Sequence, residues 1–204
     1  AIDADPSSNL NNVLGMPVRE SIGDIREEML NKAVQGRLTP GLPKQDYLDY
    51  RLDEILVEGK GVDLLTMGRP EGPGCYCAAN NMLRLSVDRL SSSYDYVVID
   101  NEAGLEHLSR RTTRDVDVML VVSDPTVRGL EAAARVVQLV GELKNKVGKM
   151  YLVLNKVEGE LPPSLQTAVD RLGLEVAAVI GRDPAVAEYD ALGRPLVELP
   201  SDSV

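Results

Sequence analysis

Unbroken apolar runs, rather than strict alternation, mark the extended segments of this chain. Val62–Met67, Tyr94–Asp100, Val116–Ser123, Met150–Asn155 and Val176–Ile180 are apolar-rich stretches with turn residues at their ends. Strands covered by helices on both faces read this way, because neither face meets water. Between them a period near 3.6 takes over. Asn81–Leu90 sets Met82, Leu83, Val87 and Leu90 on one face, and Gly129–Val147 does the same with Leu130, Ala133, Val137, Val140 and the stem of Lys144. Strand alternates with helix, so the pattern predicts an α/β fold, a layered and mostly parallel sheet with helices on both faces. The stretch from Met16 to Gly61 is more polar and less regular, and reads as helices and loops covering one end. With no internal repeat, low-complexity segment or interdomain linker, residues 1–204 read as a single domain.

Composition narrows the function. A chain of 204 residues supports one sizeable core or two small ones. Its net charge of −10 argues against general nucleic-acid binding, which needs a lysine and arginine footprint. No apolar run is long enough to span a bilayer, and no signal peptide is recognisable. Two cysteines do not make a disulfide framework, so a reducing cytoplasm is the expected setting, with no membrane partner. The chain opens on Ala1-Ile2-Asp3-Ala4-Asp5-Pro6, where a strand is already giving way to a loop, and this leads us to expect a preceding segment.

Those two cysteines lie one residue apart, in Gly72-Pro73-Gly74-Cys75-Tyr76-Cys77. The Gly-Pro-Gly turn followed by Ala78-Ala79-Asn80-Asn81 predicts a loop opening into a helix. Both sulfurs then sit near a helix N-terminus, whose positive end favours the thiolate that binds metal. A tetrahedral or square-planar site needs four donors and one chain offers two, so two chains meeting on a two-fold axis would complete it. The alternative is a pair of buried small hydrophobes.

In parallel sheets ligands bind at the carboxyl ends of the strands. The exits here read Asp3-Ala4-Asp5-Pro6, Asp100-Asn101-Glu102-Ala103-Gly104, Ser123-Asp124-Pro125-Thr126 and Asn155-Lys156-Val157-Glu158. Val97-Val98-Ile99-Asp100 has the Walker B form, a carboxylate held beside Mg²⁺ and a triphosphate. Alone, the motif reads sooner as an aspartate capping the next turn.

Taken in order, the Asp3 and Asp5 segment, the Asp100 segment and Asn155-Lys156 resemble switch I, switch II and the base-contacting loop of the MinD, ParA and nitrogenase iron-protein group of P-loop ATPases. Within that group, Met67 to Cys77 and Asp100 to Arg111 are similar to the CooC-type nickel-insertion ATPases that mature carbon monoxide dehydrogenase. The resemblance runs from Ala1 to about Leu199. It implies an ATPase using ATP and Mg²⁺, a homodimer, and nickel or zinc at Cys75 and Cys77. Its implied client is carbon monoxide dehydrogenase or the related acetyl-CoA synthase. It further implies that Asp5 orients the attacking water and Asp3 helps hold the magnesium shell. Asp100 would bind Mg²⁺ through a water, and Gly104 would turn its amide toward the γ-phosphate. Asn155 would bond the adenine edge, with Arg182-Asp183-Pro184 closing over the base. For Asn155 and Asp183 a strand-end turn and a helix N-cap are the alternatives.

Such ATPases begin with a strand and a glycine-rich phosphate loop, and no G-x-x-x-x-G-K-[ST] occurs in these residues. A strand, loop and helix of roughly 30 residues would supply it, and without it the chain is expected to bind and hydrolyse nucleotide poorly. Asn155-Lys156-Val157-Glu158 also echoes the guanine-reading N-K-x-D, but Glu158 stands where Asp is needed, which favours ATP over GTP. His107, the one histidine, is either a spare ligand or a structural residue. A positioning ATPase of the MinD and ParA kind and an iron–sulfur ATP-dependent reductase are the competing readings. The acidic tail Val197–Val204 offers the first neither a basic face nor a membrane helix. Gly104 stands where the second has a further aspartate.

Overall fold

The computed structural model describes residues 1–35, 44–69, 77–104, 116–143, 146–201 and 203. They fall into two compact units, Ala1–Glu102 with Gly193–Val197, and Ala103–Leu192 with Glu198–Val204.

The first unit is built on a three-stranded parallel sheet in the order β2-β1-β3, with β1 at Ile2–Asp3, β2 at Leu65–Thr66 and β3 at Ile99–Asp100. The sequence pattern predicts longer strands at Val62–Met67 and Tyr94–Asp100. The ladders are short because β2 and β3 both pair through β1, which offers two residues. Helices α1 (Leu10–Leu14), α2 (Ile22–Val34), α3 (Lys44–Ile55) and α4 (Cys77–Leu90) surround the sheet. Ile22, Ile25 and Met29 on α2, Leu48, Leu52 and Ile55 on α3, and Leu83 on α4 close one core with Ile2, Leu65 and Met67. Met82, Val87 and Leu90 pack against it, so the face read from the α4 sequence is the one that faces the core. The Met16–Gly61 region is therefore more than a cover. Its helices bury an apolar stripe narrow enough to be hidden among charged neighbours.

The second unit holds a parallel sheet in the order β4-β5-β6, formed by Val116–Ser123, Val147–Val157 and Glu175–Gly181. Helices α5 (Val127–Leu143), α6 (Pro163–Leu172) and α7 (Pro184–Ala191) complete it. Leu130 of α5 and Val169 of α6 form a core with Leu152, Leu154 and Val157 of β5. Leu130, Ala133 and Val140 are buried, as the helical period requires, but α5 ends at Leu143 and Val147 already begins β5. Lys144 lies outside the described residues.

The expectation of strands buried on both faces is corrected here. On β4, Val121 and Ser123 are buried while Val118, Leu120 and Val122 are exposed. Val176 and Val179 of β6 are exposed as well. Among the described residues both pair with β5 alone, and a continuous apolar run does not guarantee cover on two sides.

Candidate functional site

The site begins where β1 ends. Ile2 and Asp3 pair in register with Ile99 and Asp100, and the ladder is tied by Ile2 N donating to Val98 O and Ala4 N to Asp100 O, each at 2.8 Å. On the other side Asp3 pairs with Thr66. Three polar side chains thus share one row across three apolar strands. Register partners in a parallel sheet point to the same side.

Asp3 is completely buried. Its Oδ1 accepts from Asp5 N and its Oδ2 from Leu10 N, both at 3.1 Å. The carboxyl therefore grips both ends of the loop that leads into α1. Burial pushes its pKa above the ordinary carboxylate value, the two amides pull it back, and the charges of Asp100 and Asp5 raise it again. Asp5 leaves this anchored loop with its Oδ1 accepting from Ser7 N at 2.7 Å, an Asx turn that fixes the side chain's direction. Asp100 is also raised, by burial first and then by the charge of Asp5. The charge of Asp5 thus acts on both Asp3 and Asp100, after burial, to disfavour their ionised forms.

Thr66 is the residue that the sequence did not single out. It is 3% exposed and its Oγ1 has no hydrogen-bond partner among the described residues. Nothing in Leu64-Leu65-Thr66-Met67 marks it, since only strand pairing places it beside Asp3.

Carboxylates and an exposed strand end suit Mg²⁺, which binds through one or two protein carboxylates and otherwise uses waters and substrate phosphates. Among the described residues no group of three or more His, Cys, Asp or Glu could hold a metal ion, and Asp5 and Asp100 offer two carboxylates.

The exit of β2 is held against the start of α2. Ser21 and Asp24 form a capping box at the start of α2, with Ser21 N donating to Asp24 Oδ2 at 2.8 Å and Asp24 N to Ser21 Oγ at 3.4 Å. Gly23 N donates to Met67 O at 2.8 Å, and Gly68 follows at φ +67°. A Cβ on Gly68 would come within 2.1 Å of Ser21 Oγ, so only glycine passes here. The backbone of Cys77 is the first residue of α4, where the sequence places a helix start. Cys75 and His107 lie outside the described residues.

In the second unit, Gly104 has φ +104°, and a Cβ there would meet nothing within 4 Å among the described residues. Asn155 and Asp183 mark the exits of β5 and β6. Asn155 Oδ1 accepts from Lys156 N at 2.9 Å, and Lys156 itself has φ +59°, a turn inside the last residues of the strand. Arg182 N donates to Val157 O at 3.1 Å and joins the two exits. Asp183 is the N-cap of α7, accepting from Ala185 N at 2.7 Å, with its other oxygen bonded to Ser203 Oγ. The cap and turn alternatives for these two residues are both realised. Neither excludes a bound base, because the Asn155 amide nitrogen remains available to donate.

Residues 1–196 match the family model of the CobQ/CobB/MinD/ParA nucleotide binding domain. An uncharacterized ATP-binding protein of Methanocaldococcus jannaschii is 48% identical over 202 residues, which is 99% of this chain and 80% of that protein. The carbon monoxide dehydrogenase accessory protein CooC of Rhodospirillum rubrum is 31% identical over 206 residues, covering 95% of this chain and 76% of that protein. Among solved structures, a ParA family ATPase from Chlorobium tepidum superposes with a TM-score of 0.68 at 17% identity, over 99% of this chain and 78% of the other. The MinD cell division protein of Aquifex aeolicus does so with 0.63 at 22%, over 96% and 74%.

Proposed function

The chain belongs to the CobQ/CobB/MinD/ParA nucleotide-binding family, and we propose that it serves there as an ATP-hydrolysing metallochaperone that carries nickel. The observation that carries the ATPase part is the Asp5–Asp100 pair, two carboxylates on neighbouring strand ends whose repulsion a bound cation relieves. Mg²⁺ supplies charge neutralisation at the triphosphate when bound. Asp100 would hold it, and Asp5, fixed by its Asx turn, would orient the water that attacks the γ-phosphate. Asp3 contributes through the loop it anchors, since both its oxygens already serve backbone amides. The Gly104 amide turns to the γ-phosphate, a conformation its positive φ permits. Asn155 and the Arg182-Asp183 exit read the adenine.

The open edge of β3 has no partner among the described strands and is suited to a parallel strand bearing a phosphate loop, with the chain functioning as one ATPase domain.

The cargo is nickel, or zinc, on the thiolates of Cys75 and Cys77 from two protomers, delivered to carbon monoxide dehydrogenase or acetyl-CoA synthase. Support comes from the C-x-C spacing at the start of α4 and from the similarity to an accessory protein of carbon monoxide dehydrogenase. Among the described residues no helix is long and apolar enough to cross a membrane.

Native mass spectrometry of the full-length protein with nickel, with and without ATP, tests this against Cys75→Ser plus Cys77→Ser. One metal per dimer, lost in the double variant and altered by ATP, is expected. A metal-free protein with intact ATPase activity would instead leave a positioning ATPase of the MinD kind, and a brown, oxygen-sensitive one an iron–sulfur reductase.

A further inference from the structure

Thr66 is a polar residue on an apolar strand end. It closes β2 between Leu65 and Met67, both of which lie in the core of the first unit. Thr66 itself is buried, and its Oγ1 has no hydrogen-bond partner among the described residues. A hydroxyl taken out of water without a partner destabilises a fold, whereas a methyl group in its place does not. Its neighbour across the ladder is Asp3, in register on β1 and wholly buried.

The two groups are complementary. A carboxylate has room for about four hydrogen bonds, and that of Asp3 accepts from Asp5 N and Leu10 N, each at 3.1 Å. Charge-assisted N–H···O bonds are ordinarily about 2.7–2.9 Å long, so these two amides leave it under-satisfied. Thr66 carries the donor that the carboxylate can still take. Register neighbours in a parallel sheet project to the same side from strands about 4.8 Å apart. A threonine hydroxyl changes place by rotation about one bond, so the pair lies within reach of side-chain rotation alone. The ladder stays intact, held on this side by Met67 N donating to Asp3 O at 2.8 Å.

We propose that Thr66 is a positioning residue of the nucleotide site, its hydroxyl donating to the Asp3 carboxylate in the arrangement that hydrolyses ATP. The inference rests on the ATPase reading given above. Asp3 grips both ends of the loop from Asp5 to Leu10, and a third bond fixes the rotation of its carboxyl group. Asp5 then keeps one direction during attack on the γ-phosphate, where a misplacement of about 1 Å costs on the order of 100-fold in rate. A hydroxyl that is unpaired in one arrangement and paired in the working one exchanges stability for orientation.

Full-length protein carrying Thr66→Val or Thr66→Ser is compared with wild type. The measurements are steady-state ATP hydrolysis with Mg²⁺, thermal unfolding, and hydrogen exchange with and without a non-hydrolysable ATP analogue. Thr66→Val should raise the thermal midpoint by about 2–4 °C, because it removes an unpaired buried polar group. Its kcat should nevertheless fall about tenfold, the scale of one charge-assisted hydrogen bond, with KM for ATP unchanged. The protection that nucleotide confers on the Asp5 and Leu10 amides should be lost with it. Thr66→Ser keeps a hydroxyl and should restore both kcat and protection. An unchanged kcat in Thr66→Val overturns the inference and leaves the nucleotide site standing. So does a kcat loss that Thr66→Ser fails to restore, because the shape of the side chain is then what matters. Wild-type protein that hydrolyses no ATP overturns the site itself, and this inference with it.

Discussion

Asp3 and Asp100 are register partners on adjacent parallel strands, so two carboxyl groups project side by side from β1 and β3. One is wholly buried and bonded to two amides; the other stands at an exposed strand end with Asp5 nearby. Identical side chains in one row thus sit differently, the first shaping the loop and the second standing where the proposed nucleotide site would place its ligand.

Removing the Asp100 charge should stabilise the empty protein. Its pKa lies above the ordinary 3.8 in the folded state, so between those values the folded chain holds more protons than the unfolded one. Stability then falls as pH rises through that window, and the deficit persists at neutral pH. Asp100→Asn should equal wild type in urea denaturation near pH 3.5, exceed it at pH 7, and lose Mg²⁺-dependent ATP hydrolysis. Equal midpoints across the whole pH range would contradict the crowded-carboxylate account.

Asp3→Asn should fail where the charge alone is not the issue. An amide side chain accepts through one oxygen and turns an N–H₂ toward the second backbone donor, leaving a buried N–H unmatched at a cost of about 1–3 kcal/mol. Hydrogen exchange should quicken at the Asp5 and Leu10 amides while the α3 core amides stay protected relative to global stability. Unchanged protection at Leu10 would show that the loop is held by something else.

Gly68→Ala should destabilise the first unit. The substitution puts a Cβ at φ +67° and drives it into the Ser21 cap of α2. Left-handed strain plus a lost cap amounts to about 2–3 kcal/mol. Ser21→Gly in the same chain removes the obstructing atoms and should restore part of the thermal midpoint. If Gly68→Ala melts with wild type, the close approach of β2's exit to α2 is not tight in solution.

Asp183 allows capping and base contact to be separated. Asn is as good an N-cap as Asp, so Asp183→Asn should keep the thermal midpoint, while Asp183→Ala loses the bond to Ala185 N at about 1 kcal/mol. Lower ATP affinity in Asp183→Asn at unchanged stability assigns the carboxylate a part in binding; unchanged affinity leaves it as the cap of α7.

Much of this was legible along the chain. The alternation of apolar runs with 3.6-residue periods predicted a parallel α/β fold, and the buried faces of α4 and α5 came from the same arithmetic. Asp183-Pro184 announced a helix start, and the strand exits announced where polar residues would gather. These are local signals: period, turn chemistry and capping act within a few residues, and sequence proximity carries them. The tertiary structure alone decided what depends on partners far along the chain. Asp3 meets Thr66 and Asp100 through strand pairing, Gly68 meets Ser21 through close backbone approach, and Glu158 meets Arg182 because β5 and β6 run side by side. Among the described strands the order also left β4 and β6 paired with β5 alone and exposed apolar residues that their composition would have buried. Pairing and burial are properties of neighbours in space, and a run of residues cannot name its neighbours.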